Sequence, residues 1–144
     1  MGDNCNNDEE IKNLLFEMLR KSEFINNLEI EFIEVDKKRI YARMPFKEKF
    51  LNPYGSMHGG ALYSFADTVA GTLACLNGNM CYTIDGVLNY ILPGINTEYI
   101  YGEAELIRCG SHIVSVKMAI VDDKGKLINE GNMNYFRDMD RPII

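Results

Sequence analysis

Asp67 lies in the middle of a strongly apolar stretch of the sequence, residues 57–76. Burying a lone carboxylate is costly unless it is paired or protonated, so an Asp at such a position has a structural or a chemical reason. If the stretch is a helix, Gly60, Ser64 and Gly71 lie within about 60° of Asp67 around its axis. The spacing predicts a narrow face of small residues that another segment or a thin ligand can approach. Whether the carboxylate is a structural acceptor or a catalytic group stays open at this point.

Gly59 and Gly60, at the expected start of this helix, supply a second chemical element. The first N–H groups of a helix have no internal partners and lie at its positive end, and glycines let a substrate carbonyl come close. The pair therefore marks either an oxyanion site or an ordinary helix start. Asp67 is eight residues from Gly59, about 12 Å along a helix, which is too far for one active centre within one chain. If both groups act together, the carboxylate of one subunit must meet the helix start of a two-fold-related subunit.

Two further polar residues precede the helix. His58 is either a general base or a residue that caps the helix. Asn52 either orients a water or a carbonyl through its amide or is a turn residue before Pro53. The four cysteines form no CxxC pair and the chain has only two histidines, so a zinc site of the usual ligand spacing is not expected.

The elements that must position these residues follow from hydrophobic periodicity. Residues 1–8 are predicted to be a disordered tail, and 8–22 a short amphipathic helix. Alternating residues then predict strands over 27–32 and 39–44, followed by a loop and the apolar helix, which ends at Asn77-Gly78. Residues 81–92 are interpreted as one bulged strand rather than a hairpin turning at Asp85-Gly86, and three more strands are predicted over 99–108, 112–121 and 126–136.

This order of elements predicts an α+β fold in which a curled antiparallel sheet wraps around the apolar helix, within a single domain over residues 9–144. The formal net charge of −6 argues against nucleic acid as the main partner. The polar, acidic N-terminus does not resemble a secretory signal, and no stretch suits a membrane-spanning helix. We therefore expect a cytoplasmic protein with reduced cysteines that binds no membrane.

The segment Asn52 to Gly60 (NPYGSMHGG), followed by Asp67 nine residues after His58, resembles the signature of the hot-dog-fold acyl-CoA thioesterases. It is most similar to the branch named after phenylacetic-acid degradation, and the resemblance covers about residues 25–137. It implies a hydrolase that converts an acyl-CoA to the free acid and coenzyme A without a cofactor, since the coenzyme A moiety enters with the substrate. It also implies dimers, usually paired into homotetramers, with active sites at the dimer interface.

The resemblance also implies roles for individual residues. Asp67 would be the nucleophile or the general base for water, and the Gly59 N–H would polarise the thioester carbonyl. Asn52, His58 and Thr83 complete the catalytic candidates. The substrate-binding candidates are Gly60, Ser64, Arg108, Gly110 and Ser111, with Arg108 a candidate for the positive charge beside the coenzyme A phosphates.

Two other functions fit the same fold. One is a non-catalytic acyl-CoA-binding domain, and the other is a hydratase or dehydratase with His58 as its base. The His-Gly-Gly context favours hydrolysis over the hydratase reaction.

Overall fold

The computed structural model describes residues 3–144, which form three α-helices, a short 3₁₀ turn and six strands. The helices are α1 (Asp3–Arg20), α2 (Glu23–Leu28) and α3 (Gly59–Cys75), and the 3₁₀ turn is Glu48–Phe50. The strands are β1 (Glu31–Val35), β2 (Arg39–Pro45), β3 (Asn79–Tyr90), β4 (Tyr99–Cys109), β5 (Ile113–Asp122) and β6 (Leu127–Pro142). None of the helices in this part of the chain is long and apolar enough to cross a membrane.

The N-terminal region differs from the sequence prediction. The chain is helical from Asp3, whereas the sequence predicted a disordered tail over residues 1–8, of which residues 1 and 2 lie outside the described part. A second helix, α2, occupies the expected start of the first strand. Its first turn is capped by Ser22, whose Oγ accepts the Ile25 N–H at 3.3 Å, and it ends at Glu29 in the left-handed region with φ 55°. Strand β1 therefore begins only at Glu31.

The six strands form one antiparallel sheet in the order β1-β2-β4-β5-β6-β3. The consecutive pairing of β4, β5 and β6 confirms the expected meander. Strand β3 is continuous from Asn79 to Tyr90 and pairs with β6, with a register shift between Thr83 and Asp85. The bulged strand is thus confirmed, and the alternative hairpin at Asp85-Gly86 is excluded.

Helix α3 packs against strands β2, β3, β4, β5 and β6, which confirms a curled sheet around a central helix. Phe65, Ala66, Val69 and Leu73 of α3 are completely buried. Gly102 on β4 makes this packing possible, because a Cβ there would lie 2.8 Å from the Phe65 ring. Packing against the sheet thus determines which face of α3 is buried, and it leaves the face that carries the polar residues at the surface.

Candidate active site

The Asp67 carboxylate is held by two hydroxyl groups of the sheet. Thr83 Oγ1 donates to Asp67 Oδ1 at 2.9 Å, and the Tyr135 hydroxyl lies 2.9 Å from the same oxygen and 3.1 Å from the Asp67 main-chain oxygen. Both donors are neutral, and among the described residues no donor reaches Oδ2. The side chain is therefore oriented through one oxygen, while the other is available to a ligand. Asp67 itself is half-buried.

Tyr135 reaches Asp67 because the neighbouring turn of α3 carries no side chain. A Cβ at Gly71 would lie 3.3 Å from the Tyr135 ring, so part of the predicted small-residue face is occupied by this tyrosine. Its side chain is only 1% exposed. Burial and the adjacent Asp67 carboxylate raise the pKa of the Tyr135 hydroxyl, which keeps it protonated as a donor.

Sequence reasoning missed Tyr135. The one available signal was its strand pattern, because Tyr135 faces the helix on β6 and its Cα pairs with Thr83 on β3. The pairing depends on the register of two strands that are far apart in the sequence, and the sequence does not give that register.

Tyr63 adds a third hydroxyl group one turn before Asp67 on α3. Burial first, and then the negative charges of Asp67 and Asp85, raise the pKa of Tyr63. Its hydroxyl occupies the space that a side chain at Gly86 would need. The Tyr63 hydroxyl is thus a protonated group that lies against β3 at Gly86 and makes no hydrogen bond to Asp67 among the described residues.

His58 acts as the N-cap of α3 in this structure. Its Nδ1 accepts the Gly60 N–H at 2.8 Å, which leaves only Nε2 for any proton transfer. The cap also occupies the Gly60 N–H, and Ser64 donates its hydroxyl to the Gly60 carbonyl at 2.8 Å. The N–H of Gly59 has no acceptor among the described residues, so it is the donor at the helix start that a substrate oxygen can use.

Asn52 organises the loop before α3. Its Oδ1 accepts the N–H groups of Tyr54 at 2.9 Å and Ser56 at 3.1 Å, and its Nδ2 donates to Ser56 Oγ at 2.8 Å. The side chain is thus a turn acceptor, as an Asn before a proline commonly is. One amide hydrogen remains for a ligand.

The structure separates the predicted catalytic residues into two pockets. Asp67 and Thr83 line a pocket of about 320 Å³ together with Tyr135. Asn52 and Gly59 line a different pocket of about 290 Å³. The catalytic candidates are thus not brought together within one chain, as the spacing of Asp67 and Gly59 along the helix predicts.

The candidates for the coenzyme A phosphates lie in neither pocket. Arg108 is exposed at the end of β4. The Gly110 N–H donates to the Ile113 carbonyl at 2.8 Å, and Ser111 Oγ lies 3.0 Å from His112 Nδ1. The three candidates, Arg108, Gly110 and Ser111, thus lie at a turn that faces the solvent.

Arg137 approaches the same turn but was not singled out from the sequence. It donates to the Gly110 carbonyl at 3.3 Å, to Asn79 Oδ1 at 3.0 Å and to the Asn77 carbonyl at 3.0 Å. Its guanidinium therefore ties the turn to the C-terminal end of α3, and Arg108 is the more accessible cation.

Comparisons with known proteins agree with this architecture. A family model described as the thioesterase superfamily matches residues 54–129. A Saccharolobus solfataricus protein named "Putative esterase" is 30% identical over 103 residues, which cover 69% of this chain and 72% of that protein.

Solved structures share the fold. The E. coli PaaI protein from the phenylacetic acid degradation operon superposes with a TM-score of 0.81 at 20% identity, covering 89% of this chain and 96% of that one. A hypothetical thioesterase protein of Streptococcus pneumoniae, solved with coenzyme A, gives a TM-score of 0.73 at 19% identity, covering 76% and 85%. The expected hot-dog fold is thereby confirmed. Because the family model matches more than half of this chain, the chain belongs to the thioesterase superfamily.

Proposed function

We propose that the protein hydrolyses an acyl-CoA thioester to the free acid and coenzyme A. The observation that carries this proposal is the Asp67 carboxylate, oriented through Oδ1 by two hydroxyls and lining a pocket through which a substrate can reach it. Membership of the thioesterase superfamily supports a hydrolase that acts on thioesters. The coenzyme A in the Streptococcus pneumoniae structure supports the same leaving group here.

A complete site requires two subunits. Asp67 and the Gly59 N–H line separate pockets of one chain, so the carboxylate of one subunit must meet the helix start of another. Strand β3 supports this assembly because it is a long strand at the edge of the sheet. Its Ile84 is 51% exposed and its Val87 64% exposed. A long apolar edge strand is a ready template for pairing with another chain.

The reaction follows from these positions. The thioester carbonyl oxygen accepts the Gly59 N–H of one subunit, which polarises the carbon. Asp67 of the other subunit either attacks that carbon directly or removes a proton from a water that attacks. Negative charge develops on the carbonyl oxygen and is stabilised by the N–H and the helix dipole. When the tetrahedral intermediate collapses, the C–S bond breaks and coenzyme A leaves as the thiolate.

The two routes differ in the step that follows. Direct attack by Asp67 gives a mixed anhydride, which a water then hydrolyses to regenerate the carboxylate. Attack by activated water gives the free acid at once. Neither route needs a redox or metal cofactor, and Asn52 or Thr83 can orient the attacking group through a remaining hydrogen-bonding atom.

Asp67→Asn and Asp67→Ala test the proposal. We expect each to lower kcat by ~100-fold or more, the scale of a central catalytic group, with the fold intact by circular dichroism. The assay follows release of free thiol from a panel of acyl-CoAs, including phenylacetyl-CoA and straight-chain substrates. Asp140→Asn, an exposed carboxylate on β6, is the matched control and should behave as wild type.

The outcomes separate the alternatives. An Ala variant with near-wild-type turnover would remove Asp67 from the mechanism. Stoichiometric binding without thiol release would instead identify an acyl-CoA-binding domain. Hydration of an enoyl-CoA would identify a hydratase, although the capping bond of His58 Nδ1 disfavours that residue as its base.

A further inference from the structure

The pocket beside Asp67 has a wall that the two N-terminal helices supply. Helix α1 contributes Leu15, Met18 and Leu19, and α2 contributes Ile25. The rest of the lining comes from α3, the start of β3 and Tyr135 of β6, and it includes Asp67. The remaining lining residues are Thr68, Gly71, Thr72, Cys75, Met80, Cys81 and Thr83.

The side chains that line this pocket carry little charge. Seven of its thirteen lining residues carry aliphatic, thioether or thiol side chains, three are threonines, and Asp67 is the one charged residue among them. The coenzyme A arm begins with an amide-bearing pantetheine unit and ends in phosphates, and both need polar partners, whereas an uncharged acyl chain gains from burial against apolar walls. Of the two substituents on a thioester carbonyl placed at Asp67, the acyl group is the one that this pocket suits.

We propose that this pocket binds the acyl chain of the substrate and that the α1–α2 wall limits its length. The inference rests on the proposed thioesterase function and deepens it by assigning a substrate class. A volume of about 320 Å³ lies at the lower end of the range for small-molecule sites, roughly 300–1,000 Å³. The substrate class is therefore a short- to medium-chain acyl-CoA rather than a long-chain one.

The wall is a feature of this chain beyond the matched family segment. Helices α1 and α2 lie before residue 54, where the family-model match begins. Helix α1 is held in place independently of any ligand, because Leu15 is 4% exposed and the Phe16 ring packs edge-on against Phe32 at 4.8 Å between centroids, and α2 is anchored by Leu28, which is 6% exposed. A wall that is anchored before substrate arrives can discriminate between chain lengths.

Met18 is the residue through which this wall can be altered. It lines the pocket but is 46% exposed, so its substitution changes the pocket without opening a hole in the core. Met18→Trp narrows the pocket, and Met18→Ala widens it. Phe24→Ala is the matched control, because Phe24 is a large apolar residue of α2, 62% exposed, that does not line the pocket.

The experiment measures kcat/KM for acetyl-, butyryl-, hexanoyl-, octanoyl-, dodecanoyl- and palmitoyl-CoA. We expect Met18→Trp to lower kcat/KM for the longest acyl group that wild type accepts by about 10-fold or more relative to acetyl-CoA, since a misfit of one or two methylenes has this effect. Met18→Ala should shift the optimum toward longer chains, and Phe24→Ala should leave the profile unchanged.

Binding measurements distinguish failure of the acyl-pocket proposal from failure of the thioesterase proposal. The affinity of the same series for Asp67→Asn, measured by isothermal titration calorimetry, tests the pocket without turnover. Affinities that depend on chain length, and that move with the Met18 variants, would support the acyl pocket even if no substrate were hydrolysed. Chain-length profiles that are identical in wild type and both Met18 variants would overturn it, while thiol release by wild type would leave the thioesterase function standing.

Discussion

The hydrogen bond from Tyr135 to Asp67 gives the sharpest test of how the carboxylate is positioned. Tyr135→Phe keeps the buried ring, which fills the space above Gly71, and removes only the hydroxyl that lies 2.9 Å from Asp67 Oδ1. The fold should therefore persist, while the carboxylate loses one of its two donors. Thr83 remains as the second donor to the same oxygen.

The size of the effect follows from that geometry. A hydrogen bond to a charged group contributes about 1.5–3 kcal/mol. Because Thr83 retains part of the orientation, we expect a loss at the lower end, about 1.5–2 kcal/mol in the activation free energy, or roughly 10- to 30-fold in kcat. KM should change little, because the ring that lines the pocket is retained.

A double-mutant cycle separates positioning from a general loss of packing. Thr83→Val removes the other donor, and the double variant leaves Oδ1 without either hydroxyl. Since each donor can partly replace the other, we expect the double variant to lose about 1 kcal/mol more than the sum of the single losses. The kinetics are measured by thiol release, with Tyr41→Phe on β2 as a control for the loss of a phenolic hydroxyl elsewhere. A Tyr135→Phe enzyme with wild-type kcat, and a double variant no slower than Thr83→Val, would refute the argument.

Two further predictions concern assembly and pH. Val87→Lys places a charge on the exposed edge strand, so we expect the particle mass in light scattering to fall to that of a monomer and thiol release to be lost with it; an active monomer would contradict the shared site. Asp122 accepts the N–H groups of Lys126 and Lys124, each at 2.9 Å, and these bonds lower its pKa. Its stabilising effect is present above the pKa of a carboxyl in the unfolded chain, about 3.9. The effect is lost as the pH falls through the lower pKa that Asp122 has in the folded protein. In urea titrations, Asp122→Ala should therefore be less stable than wild type near neutral pH and approach it in acid, whereas a pH-independent difference would contradict this.

The sequence predicted the long elements because their periodicity is strong. Helix α3 and strands β3 to β6 fall within a few residues of the expected bounds, except that β6 continues to Pro142. The N-terminal region was predicted less accurately, because short-range details decide where its helices begin and end. Asn7 and Glu10 resemble a helix start, yet the helix begins at Asp3. Glu29 ends α2 in the left-handed region, where a glycine would have given a recognisable signal and a glutamate does not.

The candidate site was predictable only where its parts are close in the sequence. The motif from Asn52 to Gly60 and the spacing to Asp67 lie on one loop and one helix, so local rules place them. The small-residue face around Asp67 predicted that something approaches closely, but its identity depends on strand register, and the structure places Tyr135 there. The assignment of Asn52 and His58 to turn and cap positions also needed coordinates, because the same residue types serve binding and structural roles.

The hydrogen bonds of Asp67 also bear on whether it is a structural or a catalytic residue. An Asp that serves only the fold is expected to have both oxygens satisfied, because unpaired buried charge is costly. Here both donors reach Oδ1, both are neutral hydroxyls, and among the described residues no salt bridge includes Asp67. Oδ2 of Asp67 is not among the buried side-chain oxygens that lack a partner in the described residues, so it is an accessible oxygen that water or a ligand can contact. In the two-subunit site that we propose, the positive N-terminal end of a partner's α3 would face this accessible oxygen, a placement that also agrees with the distance between Asp67 and Gly59 along the helix.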